Sequence, residues 1–72
     1  MFVVKKKDGS NLYIKNWHGR TWCHFYDVYS GRKEGYTSDL NKAKIYRSVT
    51  GAEKSLGKLI KNANLEIVPL LQ

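Results

Sequence analysis

The chain opens on an apolar run, Phe2-Val3-Val4, which gives way to Lys5-Lys6-Lys7 and then to Asp8-Gly9-Ser10. β-Branched and aromatic side chains suit a pleated strand. Asp-Gly is a turn signal because glycine reaches positive φ without steric cost. From Asn11 to Asn16 apolar and polar positions alternate, with Leu12 and Ile14 on one face and Tyr13 and Lys15 on the other. The first sixteen residues therefore predict a β-hairpin. Asn16 to Arg20 reads as a loop. Trp22 to Tyr29 follows, and its dense aromatic and β-branched content predicts another strand. In that strand Trp22, His24, Tyr26 and Val28 would share one face, and Cys23, Phe25, Asp27 and Tyr29 the other. Ser30 to Gly35 is polar and bracketed by Gly31 and Gly35, which suits a second turn, with a short returning strand from Tyr36.

The second half changes period. Ser38 to Lys44 offers an N-cap followed by about one helical turn, and Ile45-Tyr46-Arg47 offers a further short strand. Thr50-Gly51-Ala52-Glu53 has capping-box spacing, a hydroxyl at the cap and Glu three residues on. A helix running from there to about Asn62, with Asn64 at its C-terminal end, gathers Ala52, Leu56, Leu59, Ile60 and Ala63 within an arc of about 100°. Lys54, Lys58 and Lys61 fall together on the opposite side. Gly57, on the margin, weakens the helix or permits a close approach. Leu65 to Leu70 predicts a last strand. Pro69 lacks an N–H, so this strand lies at an edge or ends there. The expected architecture is α+β: a small antiparallel β-sheet of three to five short strands, with one main C-terminal-half α-helix packed on one face. Residues 1–72 read as a single domain.

Charge narrows the partners. Thirteen Lys and Arg stand against six Asp and Glu, a net charge of +7. So dense a positive field favours nucleic acid, a nucleotide or an acidic protein surface, although it also serves solubility. The single cysteine, Cys23, rules out an internal disulfide and suits a reducing compartment. No apolar run is long enough to cross a bilayer. In Met1–Lys7 charge follows the apolar stretch, the reverse of an export signal, so a cytoplasmic protein without a membrane partner is expected. A core this small makes a homodimer plausible.

Catalytic chemistry finds little support. Cys23 and His24 are adjacent in the expected strand and would leave opposite faces, whereas structural zinc needs four convergent ligands. The same geometry argues against a Cys–His nucleophile. Gly51 to Leu59 superficially matches a phosphate-binding loop, but five residues separate its glycines and Leu59 follows Lys58. That loop needs four, then Ser or Thr after the Lys. The expectation is therefore a protein with no metal, no cofactor and no enzymatic activity.

Aromatic and basic residues interleave instead through the first half. Tyr13, Lys15, Trp17, His18, Arg20, Trp22, His24, Tyr26, Arg32 and Lys33 form the candidate binding set, with Tyr36 at its end. Aromatic rings on an open sheet stack bases, and neighbouring cations hold phosphates. A nucleotide or a protein partner would use the same residue types. Core packing competes for the same rings, since large aromatic side chains are mostly buried on average.

Three stretches carry a resemblance of layout. Asp39-Leu40-Asn41-Lys42-Ala43-Lys44-Ile45-Tyr46 is followed by Thr50-Gly51-Ala52-Glu53-Lys54-Ser55-Leu56 and Glu66-Ile67-Val68-Pro69, behind a lysine-rich hairpin and an aromatic middle. Over most of its length the chain resembles small accessory proteins encoded by bacteriophages. The resemblance implies a host-takeover factor that blocks or redirects a host enzyme or immune system by stoichiometric binding in the bacterial cytoplasm. It assigns no site residue. Two functions are thus expected to compete: a binder of nucleic acid or a nucleotide, and an inhibitor that binds a host protein directly. A small nuclease using His18, His24 or tyrosines is a third, for which no turnover is expected.

Overall fold

The computed structural model describes residues 1–16 and 21–70, with the backbone alone for 21–25. Four strands form one antiparallel sheet: β1 (Phe2–Lys6), β2 (Tyr13–Ile14), β3 (Tyr36–Thr37) and β4 (Leu65–Pro69), in the spatial order β3-β2-β1-β4. Three α-helices accompany them, α1 (Thr21–Ser30), α2 (Val49–Leu56) and α3 (Leu59–Asn62), among the described residues. The architecture is α+β, as expected.

The hairpin forms where Asp8-Gly9 predicts it. Gly9 takes φ 81°, and the Asp8 carboxylate accepts a 3.0 Å bond from the Ser10 N–H. The two strands then part. β1 and β2 pair at Lys5 and Tyr13, but further from the turn the segment Ala43–Tyr46 lies between them. It bridges Phe2 through Tyr46 and Lys15 through Ala43, and the Lys44 N–H bonds to the Ile14 carbonyl at 2.9 Å. The short strand expected at Ile45–Arg47 is present only as this bridge.

On its other side β1 pairs with β4 over five residues, from Phe2 opposite Pro69 to Lys6 opposite Leu65. β4 is an edge strand, as Pro69 predicts. The Leu70 N–H bonds to the Met1 carbonyl and the Lys7 N–H to the Asn64 carbonyl. Hydrogen-bonded and non-bonded pairs alternate along such a ladder, so Pro69 falls at a non-bonded position. Its missing N–H is one that would point away from the sheet, where proline blunts an edge at no cost to the ladder.

Val4, Ile14, Tyr36 and Leu65 project from one face of this sheet and pack against Val28 of α1 and Ala52 and Leu56 of α2. Leu59, Ile60 and Ala63 join them from the side. This is the apolar arc expected for the second-half helix. Fully burying a side chain such as Ile14, which is 0% exposed, stabilises by about 1.5–3 kcal/mol.

Two features of that helix differ from expectation. Its N-cap is Ser48, not Thr50: the Ser48 hydroxyl accepts the Gly51 N–H at 3.0 Å. Tyr46 is held extended by its two bonds to Phe2, so the chain turns into the helix as soon as it leaves that bridge. The helix also breaks at Gly57. Gly57 (φ 55°, ψ −130°) and Lys58 (φ −66°, ψ −14°) have the dihedrals of a type II′ turn, whose first central residue favours glycine. A Cβ there would meet nothing within 4 Å. Gly57 thus provides backbone freedom and not a close approach. Asn64 ends α3 with φ 56°, the expected left-handed terminus.

The largest correction concerns Trp22–Tyr29. This stretch is helix, not strand. Aromatic and apolar residues occupy so many of its positions that periods of 2 and 3.6 both fit. The decisive signal is Gly31. It takes φ 75°, the Gly31 N–H bonds to the Val28 carbonyl, and the Arg32 N–H reaches the Asp27 carbonyl at 2.9 Å. That pair of bonds is a Schellman cap, which ends a helix. A 3-10 turn at Lys33–Gly35 then leads the chain to β3.

Gly35 allows this turn to close against α1. A Cβ at Gly35 would lie 2.9 Å from the Val28 nitrogen and 3.0 Å from the Asp27 carbonyl carbon, both backbone atoms. Gly35→Ala is expected to destabilise the fold by about 1–3 kcal/mol, read as a lower denaturant midpoint with unchanged slope. A second prediction concerns pH. Burial, aided by the Asp8 charge, pushes the Tyr36 phenol above its ordinary value of 10.0. Burial does the same to Tyr46, offset in part by the Ser55 hydroxyl. The Tyr46 hydroxyl nonetheless makes no hydrogen bond of good geometry among the described residues. Groups raised in this way contribute stability that is intact below about pH 10 and is lost as pH rises through the folded-state value. Alkaline denaturation should coincide with a late rise in tyrosinate absorbance, and Tyr46→Phe should make it less steep.

Candidate functional site

The candidate residues do not converge as the strand expectation implies. Trp17, His18 and Arg20 lie outside the described residues. Trp22, His24 and Tyr26 lie on α1 and do not share a strand face. The strand-based separation of Cys23 from His24 also falls away, because both lie on this helix. Tyr26 and Tyr29, three apart on α1, are 60% and 59% exposed.

Tyr13 and Lys15 do lie where the alternation puts them, on the face opposite Ile14. Strand register extends that face. Glu66, Lys5, Tyr13 and Thr37 are successive cross-strand partners and form one row across all four strands. Directly opposed residues share a face, so Tyr13 is flanked by Lys5 on β1 and Thr37 on β3. Lys15, two residues on and exposed, continues the row's basic side. Each α-helix contributes to the cluster on the other face, while on this one Tyr13 is half-buried and Lys15 exposed. Val3 and Ala43 form its dry end: both are buried but stand outside the main cluster.

The row meets a cleft at its β3 end. Leu12, Gly31, Lys33, Tyr36, Thr37 and Ser38 line an open depression of about 410 Å³. Tyr36 is buried beside it. Its hydroxyl donates to the Val28 carbonyl at 2.7 Å, and the Lys6 ammonium sits 4.9 Å from its ring centroid. Neighbouring acids are engaged. Asp8 lies 3.8 Å from Lys6. Asp27 and Glu34 lie 3.9 and 3.5 Å from Arg32. Arg32 is therefore exposed but shared between two carboxylates, whereas Lys33 makes no ion pair among the described residues. Lys5 and the Leu12–Thr37 cleft were not singled out from the sequence; cross-strand register and the helical cap bring them to the site.

Elsewhere Lys54, Lys58 and Lys61 are all exposed, but the turn at Gly57 divides them between two helical segments. No group of His, Cys, Asp and Glu among the described residues is placed to hold a metal ion. No helix among them is long and apolar enough to cross a membrane.

No family model matches the chain, and neither a curated protein nor a solved structure is similar to it.

Proposed function

We propose that this chain is a non-enzymatic, basic protein that binds nucleic acid across the sheet face that carries Lys5, Tyr13 and Lys15. The observation that carries the reading is the placement of Tyr13 between Lys5 and Thr37, with Lys15 beside them. An aromatic ring on an open sheet offers a base a stacking surface regardless of sequence, and the lysines supply the cations that displace counterions from phosphate. The net charge of +7 would draw such a partner in at long range. The layout resemblance to phage accessory proteins suggests the setting, a host defence or nucleic-acid process in the bacterial cytoplasm.

Fluorescence anisotropy with a labelled oligonucleotide tests this. Base stacking contributes about 1–3 kcal/mol, so Tyr13→Ala should weaken binding at least about fivefold. Lys15→Ala should lower the slope of log affinity against log salt by roughly 0.7 for a single strand or 0.9 for a duplex. Salt-insensitive binding, or none at low salt, would sink the proposal.

A second reading has its own observation. The exposed pair Tyr26 and Tyr29 on α1 is of the residue type that anchors protein interfaces, which favours direct inhibition of a host protein. In that case replacing both with Ala should abolish a nuclease-resistant pull-down from bacterial lysate and leave oligonucleotide affinity unchanged.

A further inference from the structure

Resting on the nucleic-acid reading, we propose that the cleft at the β3 edge takes one unstacked nucleotide of a single strand whose neighbour lies on Tyr13. Position is the first argument. Thr37 lines the cleft and is also the cross-strand partner of Tyr13. Leu12 and Tyr36, which also line it, belong to the opposite face of the sheet, so the cleft opens around the β3 edge from Tyr13 and a base entering it leaves the stack.

Lining is the second argument. Leu12 and Tyr36 bring apolar surface to the lining, and Thr37 and Ser38 are its hydroxyl-bearing residues. The Thr37 oxygen already accepts the Asp39 N–H at 3.0 Å, which leaves its proton to donate to a base edge. Gly31 has open space where a Cβ would stand, so no side chain closes that wall. The volume of about 410 Å³ lies at the lower end of the range for small-ligand sites. A flat ring with one phosphate fits this better than an elongated cofactor does.

Charge is the third. Asp8, Asp27 and Glu34 are each held by Lys6 or Arg32, which reduces their repulsion of an anion. Lys33, exposed on the cleft wall, is left to meet a phosphate. A duplex keeps its bases stacked and paired and cannot deliver one to this cleft without unstacking it. The cleft therefore favours single strands.

The test compares the full chain with Lys33→Ala and Ser38→Leu, both at exposed positions. The probes are labelled dT12, U12 and a 12-base-pair duplex, with Tyr13→Ala alongside. Wild type should bind the single strands more tightly than the duplex. Each cleft variant should lose about five- to tenfold against the single strands and change little against the duplex. Thymidine monophosphate titrated into labelled wild type should shift the amide resonances of Gly31, Lys33, Thr37 and Ser38, and this decides the matter should a variant fail to fold. If the cleft variants match wild type while Tyr13→Ala weakens binding, the cleft inference is wrong and the sheet-face reading stands. Equal affinity for duplex and single strand also overturns the cleft. Absence of binding to any probe at low salt removes both.

Discussion

The N-terminal strand has hydrogen-bonding partners along both edges, and the rest of the chain is arranged to supply them. Successive residues of Phe2–Lys6 direct their backbone groups alternately left and right. The odd residues face β4, which arrives from the far end of the sequence. On the other side Lys6 meets Leu12, while Phe2 meets Tyr46. The fork between β1 and β2 would leave Phe2 and Ile14 with unpaired groups, each costly once buried. The segment Ala43–Tyr46 fills it. The central strand is thus joined to three distant parts of the chain, and the core residue Val4 is enclosed as a result.

A second constraint seats α1. Its C-terminal end must stop at Gly31 and turn back within a few residues, so that Tyr36 can enter the sheet beside Ile14. The Schellman cap makes the stop, and Gly35 lets the returning backbone touch the helix. The Tyr36 hydroxyl then ties the two together by its bond to the Val28 carbonyl. The same turn shapes the cleft, since Gly31 and Lys33 on one side and Thr37 and Ser38 on the other are held apart by it. A structural requirement for closing α1 against the sheet therefore also creates the recess in which a ligand is proposed to sit.

Electrostatics distinguishes among the cations. Exposed ion pairs contribute little to stability, but they determine which charges remain to attract a partner. Arg32, attractive in the sequence as a phosphate contact, is occupied by Asp27 and Glu34. Lys5, one of three consecutive lysines in the sequence, lies next to Tyr13. Proximity to an aromatic surface, more than exposure, is what marks Lys5, Lys15 and Lys33 among the basic residues.

Local sequence determined the features that depend on a few adjacent residues: the Asp8-Gly9 turn, the facing of Ile14 and Tyr13, the edge position of β4, and the buried arc from Ala52 to Ala63. Each follows from a single residue's backbone limits or from one clear period. Trp22–Tyr29 was not legible in this way, because a stretch crowded with large apolar rings satisfies both periods and its intrinsic preference for strand is weak against tertiary packing. The local cap at Gly31 ends it as a helix, and the tertiary burial of Val28 seats that helix on the sheet. The candidate site divides along the same line. Alternation put Tyr13 and Lys15 on the outer face, but only register across the sheet could place Lys5 and Thr37 beside them. Cross-strand neighbours are far apart in sequence, and no local pattern encodes which will meet.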